Sequence, residues 1–508
     1  MTSRHYPCCM RRFRMAALSN ILLTAVFLSP AWAQTSATPS ETVVTGGQKF
    51  RQGDFRGAAA AFQKTIDGRP SPEGYAGLVQ SFLKLDDVKR AEEGSRKALE
   101  TFPRSALAHA TRGDVYFRRG MMPDAENEYQ TALKIDGQCA RAFLGQGKID
   151  ATLARDQRAR EAVTRAHELD PGDGDALYEW AIRQPYPANV AALEKHLSEF
   201  RSDPEVEGHE SDYLELLKAL AGRKVWVLTP DVARAELKLE SLTFGGNFTP
   251  RGYGLRVRFN DRATATLLLD TGASGVTITR KFADKIGAQK LSEQAIVGVG
   301  SSGAARGYQA WVDEVAIGEL KFHDCFVHVL PSSIAETDGI IGADVFAKFL
   351  VTLDFSAHKV RLETLPEAPA SVSAAASAGP WTQAYGFGHF LLLPTDVNGK
   401  VAGLFALDSG ANINSVSPEL GQRIPEMRML NSPVIGVSGM VNSAQGANIN
   451  LRFAGVRRDV RIITVDLGSV SKNLGTEVSG QIGFNTLDRM KITINYRDGL
   501  VDFQFAGK

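Results

Sequence analysis

Between about Thr42 and Pro171 the chain repeats itself. Small residues return every 34 positions: Ala91, Ala125 and Ala159 form one series, Ala98, Ala132 and Ala166 a second, Gly113 and Gly147 a third. Tyr116 follows Gly113, and Tyr129 falls between Ala125 and Ala132. A weaker first copy holds Gly46, Ala58, Phe62 and Pro70. Pro103 and Pro171 close later copies, and a degenerate further copy runs from Asp175 to Phe200. Small side chains let two helices approach closely, an aromatic fills the groove between them, and Pro or Gly stops the second helix. The pattern predicts stacked helix pairs over residues 42–203.

After about Val225 the period falls to two. "YGLRVRFNDRATATLLLD" alternates apolar and polar residues around Asn260-Asp261 and predicts a β-hairpin. Strand-like patterns continue to the end, broken by "TLPEAPASVSAAASAGP", residues 364–380, which has linker composition. The linker separates two units, 236–363 and 381–508, and these are copies. "GLRVRFNDRATATLLLDTGASGVTI" matches "FLLLPTDVNGKVAGLFALDSGANINSV": each is a hairpin whose second strand runs into D-[TS]-G-A. A glycine-rich turn and strands follow in both. Then "TDGIIGADVFAKFLVTLDFSAHKVRLE" matches "VSGQIGFNTLDRMKITINYRDGLVDFQ", an apolar-Gly element, a short helix and a last hairpin. The expected architecture is an α-solenoid followed by two all-β units that form one bilobed domain.

A chain of 508 residues has room for these domains, and a net charge of +1 favours neither nucleic acid nor an anionic membrane as partner. Residues 1–33 read as a secretory signal peptide. Arg11, Arg12 and Arg14 precede an apolar run from Ala16 to Leu28, and Ala31-Trp32-Ala33 forms a cleavage site before Gln34. The arginine pair lacks a convincing twin-arginine context. The mature chain is therefore expected to be exported, periplasmic or secreted, with no membrane span. Cys8 and Cys9 leave with the signal, and Cys139 and Cys325 fall in different predicted domains. Neither a disulfide nor a metal site is expected, and no cofactor is.

The candidate chemistry lies in the duplicated motif. An aspartate in an ordinary turn has no reason to recur with all its surroundings, yet Asp270 and Asp408 do. At this point the β region resembles the aspartic peptidases, closer to the retroviral type than to the pepsins: the units are short, and both motifs carry Ala after Gly. The helical region resembles the tetratricopeptide repeat. The resemblance implies a peptidase in which Asp270 and Asp408 share one proton and activate water. It implies that the hydroxyls of Thr271 and Ser409 bond across the interface. Gly272 and Gly410 would make the tight turns, and Ile341-Gly342 and Ile482-Gly483 would pack behind the loops. Gln481 stands where the family has an apolar residue, a departure that weakens the expected packing of the second half. Ala273 and Ala411 replace a hydroxyl residue common in pepsin-type enzymes, which predicts a raised pKa for the pair and a mildly acidic optimum.

Gly298, Gly300 and Gly303, and likewise Gly436 and Gly439, are candidate flap residues, with plain hairpin turns as the alternative. "GVGSSG" also spells G-x-G-x-x-G, but a strand-like stretch follows it instead of a helix, which excludes a dinucleotide site. No H-E-x-x-H occurs and no G-x-S-x-G context supports a serine nucleophile. The repeats either dock a protein substrate or partner, or cap the next domain. Two other readings stay open: a peptide-binding scaffold without catalysis, and an enzyme active only when units pair between chains.

Overall fold

The computed structural model describes residues 41–243, 251–296, 305–331, 337–369, 379–429, 434–436, 439–441 and 445–505, with the single positions 372 and 376. Residues 1–33 and part of the 364–380 segment therefore lie outside the described residues. Helices run from Glu41–Arg51 to Pro204–Leu220, one helix beyond the repeat boundary expected at 203. Several begin at side-chain caps: Asp54 accepts from Gly57 N at 2.8 Å, and Ser71 from Gly74 N at 3.1 Å.

The 34-residue period is a packing period. Ala91, Ala98, Ala125, Ala132 and Ala166 are wholly buried. A methyl group on Gly113 would stand 2.6 Å from the Tyr129 ring, and one on Gly145 2.1 Å from it. Tyr129 thus fills a groove that only glycine leaves open. Its hydroxyl donates to Asp114 at 2.9 Å. Arg141 joins Asp114 (2.6 Å), Asp173 (3.2 Å) and Asp175 (3.1 Å), and Lys84 reaches Asp175 at 2.8 Å. These ions link helices of successive repeats.

Among the described residues the β region forms three larger sheets. In the first unit, Ala263–Asp270 lies between Gly339–Gly342 and Gly252–Phe259. In the second, Val401–Leu407 lies between Gly480–Ile482 and Phe390–Val397. In both, the Asp-bearing strand pairs in parallel with the apolar-Gly strand, Leu269 opposite Ile341 and Leu407 opposite Ile482. The third sheet is shared. Its six strands run Thr382–Gln383, Leu500–Phe505, Met490–Asn495, Phe349–Asp354, Lys359–Thr364, Arg234–Lys238. Its central pair, Phe349–Asp354 against Met490–Asn495, joins the units antiparallel, Val351 facing Ile494. The copies therefore pair within one chain.

The helical repeats pack on the second unit. Phe117, Met122, Ile149 and Leu153 share a buried cluster with Leu392, Leu404, Ala406, Ile463, Val465 and Val478. Thr476 Oγ1 donates to the Phe117 carbonyl at 2.7 Å, and Glu477 N to the Arg118 carbonyl at 2.8 Å. Lys472 pairs with Asp203 at 2.7 Å. One surface of the repeats is thus a cap on the neighbouring domain. Cys139 and Cys325 are buried free thiols. No helix among the described residues is long and apolar enough to cross a membrane.

Candidate active site

Two buried strands deliver the two aspartates. Leu267 and Leu269 anchor the first, and Phe405 and Leu407 the second, all within the core. Asp270 ends its strand, and Asp408 follows its own, its N–H bonded to the Ile482 carbonyl at 3.1 Å. The loops then lock onto each other. Thr271 Oγ1 donates to the Leu407 carbonyl (2.9 Å) and accepts from Ser409 N (2.9 Å). Ser409 Oγ donates to the Leu269 carbonyl (3.0 Å) and accepts from Thr271 N (3.0 Å). Each hydroxyl satisfies a backbone donor and a backbone acceptor of the opposite unit.

This lock sets each carboxylate against the opposite glycine. A methyl on Gly410 would stand 2.3 Å from Oδ2 of Asp270, and one on Gly272 2.8 Å from Cγ of Asp408. With no side chain there, Gly272 N and Gly410 N both donate to Asp270 Oδ1, at 2.7 and 3.1 Å. Ala411 N donates to Asp408 Oδ1 at 2.7 Å.

Behind the loops the halves differ. Ile341 and Ile482 are fully buried. Gly342 N reaches the Gly275 carbonyl at 2.7 Å, whereas Gly483 N is held by Asn414 Oδ1 at 2.9 Å. Asp344 braces the first loop, accepting from Ser274 Oγ and Gly275 N, both at 2.9 Å. Gln481 is the departure that sequence reasoning misjudged. It is buried, and it does more than pack. Its Nε2 donates to Asp408 Oδ2, and its Oε1 accepts from Ser415 Oγ at 2.7 Å. The signal was present in the duplication: Ile340 faces Thr277 in the first copy where Gln481 faces Ser415 in the second.

Of the flap candidates, Gly298, Gly300 and Gly303 lie outside the described residues. Gly436 and Gly439 are opposed at the end of a two-stranded ribbon, Val434–Gly436 with Gly439–Val441. An open depression of about 680 Å³ lies on the first unit, lined by Arg256, Thr264, Thr266, Lys281 and Asp338 among others; neither aspartate borders it.

Burial pushes Asp270 well above the ordinary carboxylate range, and the charge of Asp408 adds to it, against the pull of the Gly272 and Gly410 amides. Asp408 is also raised by burial, but the Ala411 N–H, its bond with Asp270, the Gly410 N–H and Gln481 all oppose the rise. Both carboxyls are thus raised, and two carboxyls this close disfavour ionising together. Burial, not the missing hydroxyls at Ala273 and Ala411, is the leading cause. Nearby, burial lowers His389, which lies against the Gly272 backbone, and burial raises Tyr496, which feels Asp344 and Asp270.

Residues 255–345 match the family model described as aspartyl protease, and residues 49–106, 76–138 and 111–174 match the tetratricopeptide repeat. The chain carries an aspartyl-protease domain behind tetratricopeptide repeats. The aspartyl-protease match includes Asp270 and Ile341-Gly342 and stops before the second unit. Among solved structures, an aspartic proteinase from Irpex lacteus is 13% identical, covering 54% of this chain and 98% of that one, with a TM-score of 0.37. A thermophilic TPR protein from Thermus thermophilus is 20% identical over 31% of this chain and 89% of that one, with a TM-score of 0.27. Protein CTR9 homolog of Arabidopsis thaliana is 29% identical over 107 residues, 21% of this chain and 10% of that protein, so the chain spans a small part of that relative's length.

Proposed function

We propose that this chain is an exported aspartic endopeptidase whose Asp270/Asp408 pair hydrolyses peptide bonds with an activated water. One observation carries the reading: a part-buried and a buried carboxylate are crossed over each other's glycines, and burial raises both. Ionised Asp408 takes a proton from water as the water oxygen attacks the peptide carbonyl carbon. Protonated Asp270 gives its proton to the carbonyl oxygen, which forms a tetrahedral diol. A proton from Asp408 then passes to the amide nitrogen and the C–N bond breaks. Asp270 recovers a proton from the diol, so the pair ends as it began. Export rests on the signal pattern at residues 1–33. The repeat surface not buried on the second unit is the candidate dock for a protein substrate or partner.

The test uses protein beginning at Gln34, a mixed peptide library and mass spectrometry between about pH 4 and pH 8, the range around a raised carboxyl pair. Wild type should cleave, and Asp270→Ala or Asp408→Ala alone should abolish cleavage. If Asp408→Ala still cleaves, the single-chain dyad is wrong. If wild type cleaves nothing, a peptide-binding scaffold takes its place.

A further inference from the structure

The two halves of the dyad are not equivalent, and the difference traces to one side chain. Asp270 gathers both of its amide donors, Gly272 N and Gly410 N, on Oδ1. Among the described residues no N–H donates to its Oδ2. Asp408 has a nitrogen donor on each oxygen: Ala411 N on Oδ1 and Gln481 Nε2 on Oδ2. An amide N–H can only donate, so a donor on each oxygen favours the charged form of Asp408 over the protonated one. Gln481 is itself fixed in orientation. Ser415 is 1% exposed, and its hydroxyl donates to Gln481 Oε1 at 2.7 Å, while the NH₂ end meets the acceptor-only carboxylate of Asp408. The reversed amide would set its carbonyl oxygen against the Asp408 carboxylate.

The register shows how this arises. Gln481 lies opposite both Ala406 and Ser415, and Asp408 is two residues beyond Ala406, on the same face of the sheet. The first unit has Ile340 opposite Leu268 and Thr277 at the matching positions, so the side chain in Gln481's place has no donor to offer Asp270.

We propose that Gln481, hydrogen-bonded to Ser415, is a positioning residue that holds Asp408 ionised and so assigns the proton to Asp270, making Asp408 the base and Asp270 the acid of the reaction. The proposal rests on the endopeptidase reading for its consequences in catalysis, but the proton assignment stands apart from activity. Among the described residues, three titratable groups stand near the dyad. Asp344 lies behind the first loop, His389 against Gly272, and Tyr496 near Asp344 and Asp270. All three are grouped about the first loop, so none of them substitutes for Gln481 at Asp408.

Two measurements test it. Gln481→Met keeps the length and removes the donor. Losing a bond to the charged form raises the lower of the pair's two apparent pKa values, so the acid limb of kcat/KM should move up by on the order of one pH unit. A change that only loosened packing would lower kcat or stability with the limb in place, and an unmoved limb in folded protein overturns the proposal. The second measurement needs neither cleavage nor a variant that folds. ¹³Cγ NMR of aspartate-labelled wild type should show Asp408 losing its proton at the lower pH and Asp270 at the higher. The reverse order overturns the assignment. If wild type cleaves nothing yet the order is as stated, the peptidase reading has failed and this one has not.

Discussion

Thr271→Val tests the lock that sets the site. The valine keeps the shape and deletes one hydroxyl, which here makes two bonds to the other unit: it donates to the Leu407 carbonyl and accepts from Ser409 N, both at 2.9 Å. Thr271 is 3% exposed and Ser409 1%, so water cannot replace either bond. Each orphaned backbone group costs about 1–3 kcal/mol, and two give about 2–6 kcal/mol, less whatever the loop recovers by shifting. A loss of at least about 2 kcal/mol is expected, a large part of the roughly 5–15 kcal/mol that holds a typical domain. Urea unfolding followed by circular dichroism measures it, with an unchanged slope showing that the unfolded state is not the cause. Ser409→Ala deletes the mirror-image pair of bonds, to the Leu269 carbonyl and Thr271 N, and should cost a similar amount. A loss below about 0.5 kcal/mol for either variant, at unchanged slope, refutes the reasoning, because a buried carbonyl and amide cannot both be abandoned so cheaply.

Two further outcomes are expected. Both dyad carboxyls are raised above the aspartate range, chiefly by burial. A carboxyl raised in the folded state contributes stability fully below its unfolded pKa of about 4 and loses it as pH climbs through the folded value. Asp270→Asn cannot ionise, so its Tm should gain on wild type as pH rises from about 4 toward neutral; a Tm difference flat with pH would contradict this. A fragment beginning at Val225 uncovers Leu392, Leu404, Ile463, Val465 and Val478. It is expected to aggregate or to melt well below the full chain, and a soluble monomer with the full chain's Tm would show that the repeats are no part of the β domain's stability.

The helical period and the Asp motifs were legible because each is a local pattern repeated. Ala98 and Ala132 recur because the same helix contact recurs, and Asp270 and Asp408 recur because the same strand end does. Thr271 and Ser409 followed from the resemblance to the aspartic peptidases, which implies hydroxyls bonded across the interface, and both bond across it here. Gln481 was misread for a physical reason. Its partners lie 73 and 66 residues away. Only the strand register, which the chain order does not display, sets it opposite Ala406 and beside Ser415. Composition alone makes a glutamine in an apolar segment look like damage to the core.

The repeat contact accounts for a difference in pattern between the two units. In the first unit the Asp-bearing strand is ATATLLLD, and Thr264 and Thr266 lie on its outer face, with Thr264 exposed. In the second it is VAGLFALD, and Leu404 takes the place of Thr266 and Ala406 that of Leu268. On the neighbouring strand Leu392 takes the place of Gly254, each opposite the matching residue of the Asp-bearing strand. Leu392, Leu404 and Ala406 are the residues that meet Phe117, Met122 and Ile149 of the repeats. A sheet covered on both faces loses the polar alternation that marks a strand with one wet face. The face that turned apolar under the repeats is also the face that carries Gln481 toward Asp408. The second unit thus serves two neighbours, the repeats on one side and the dyad at its end.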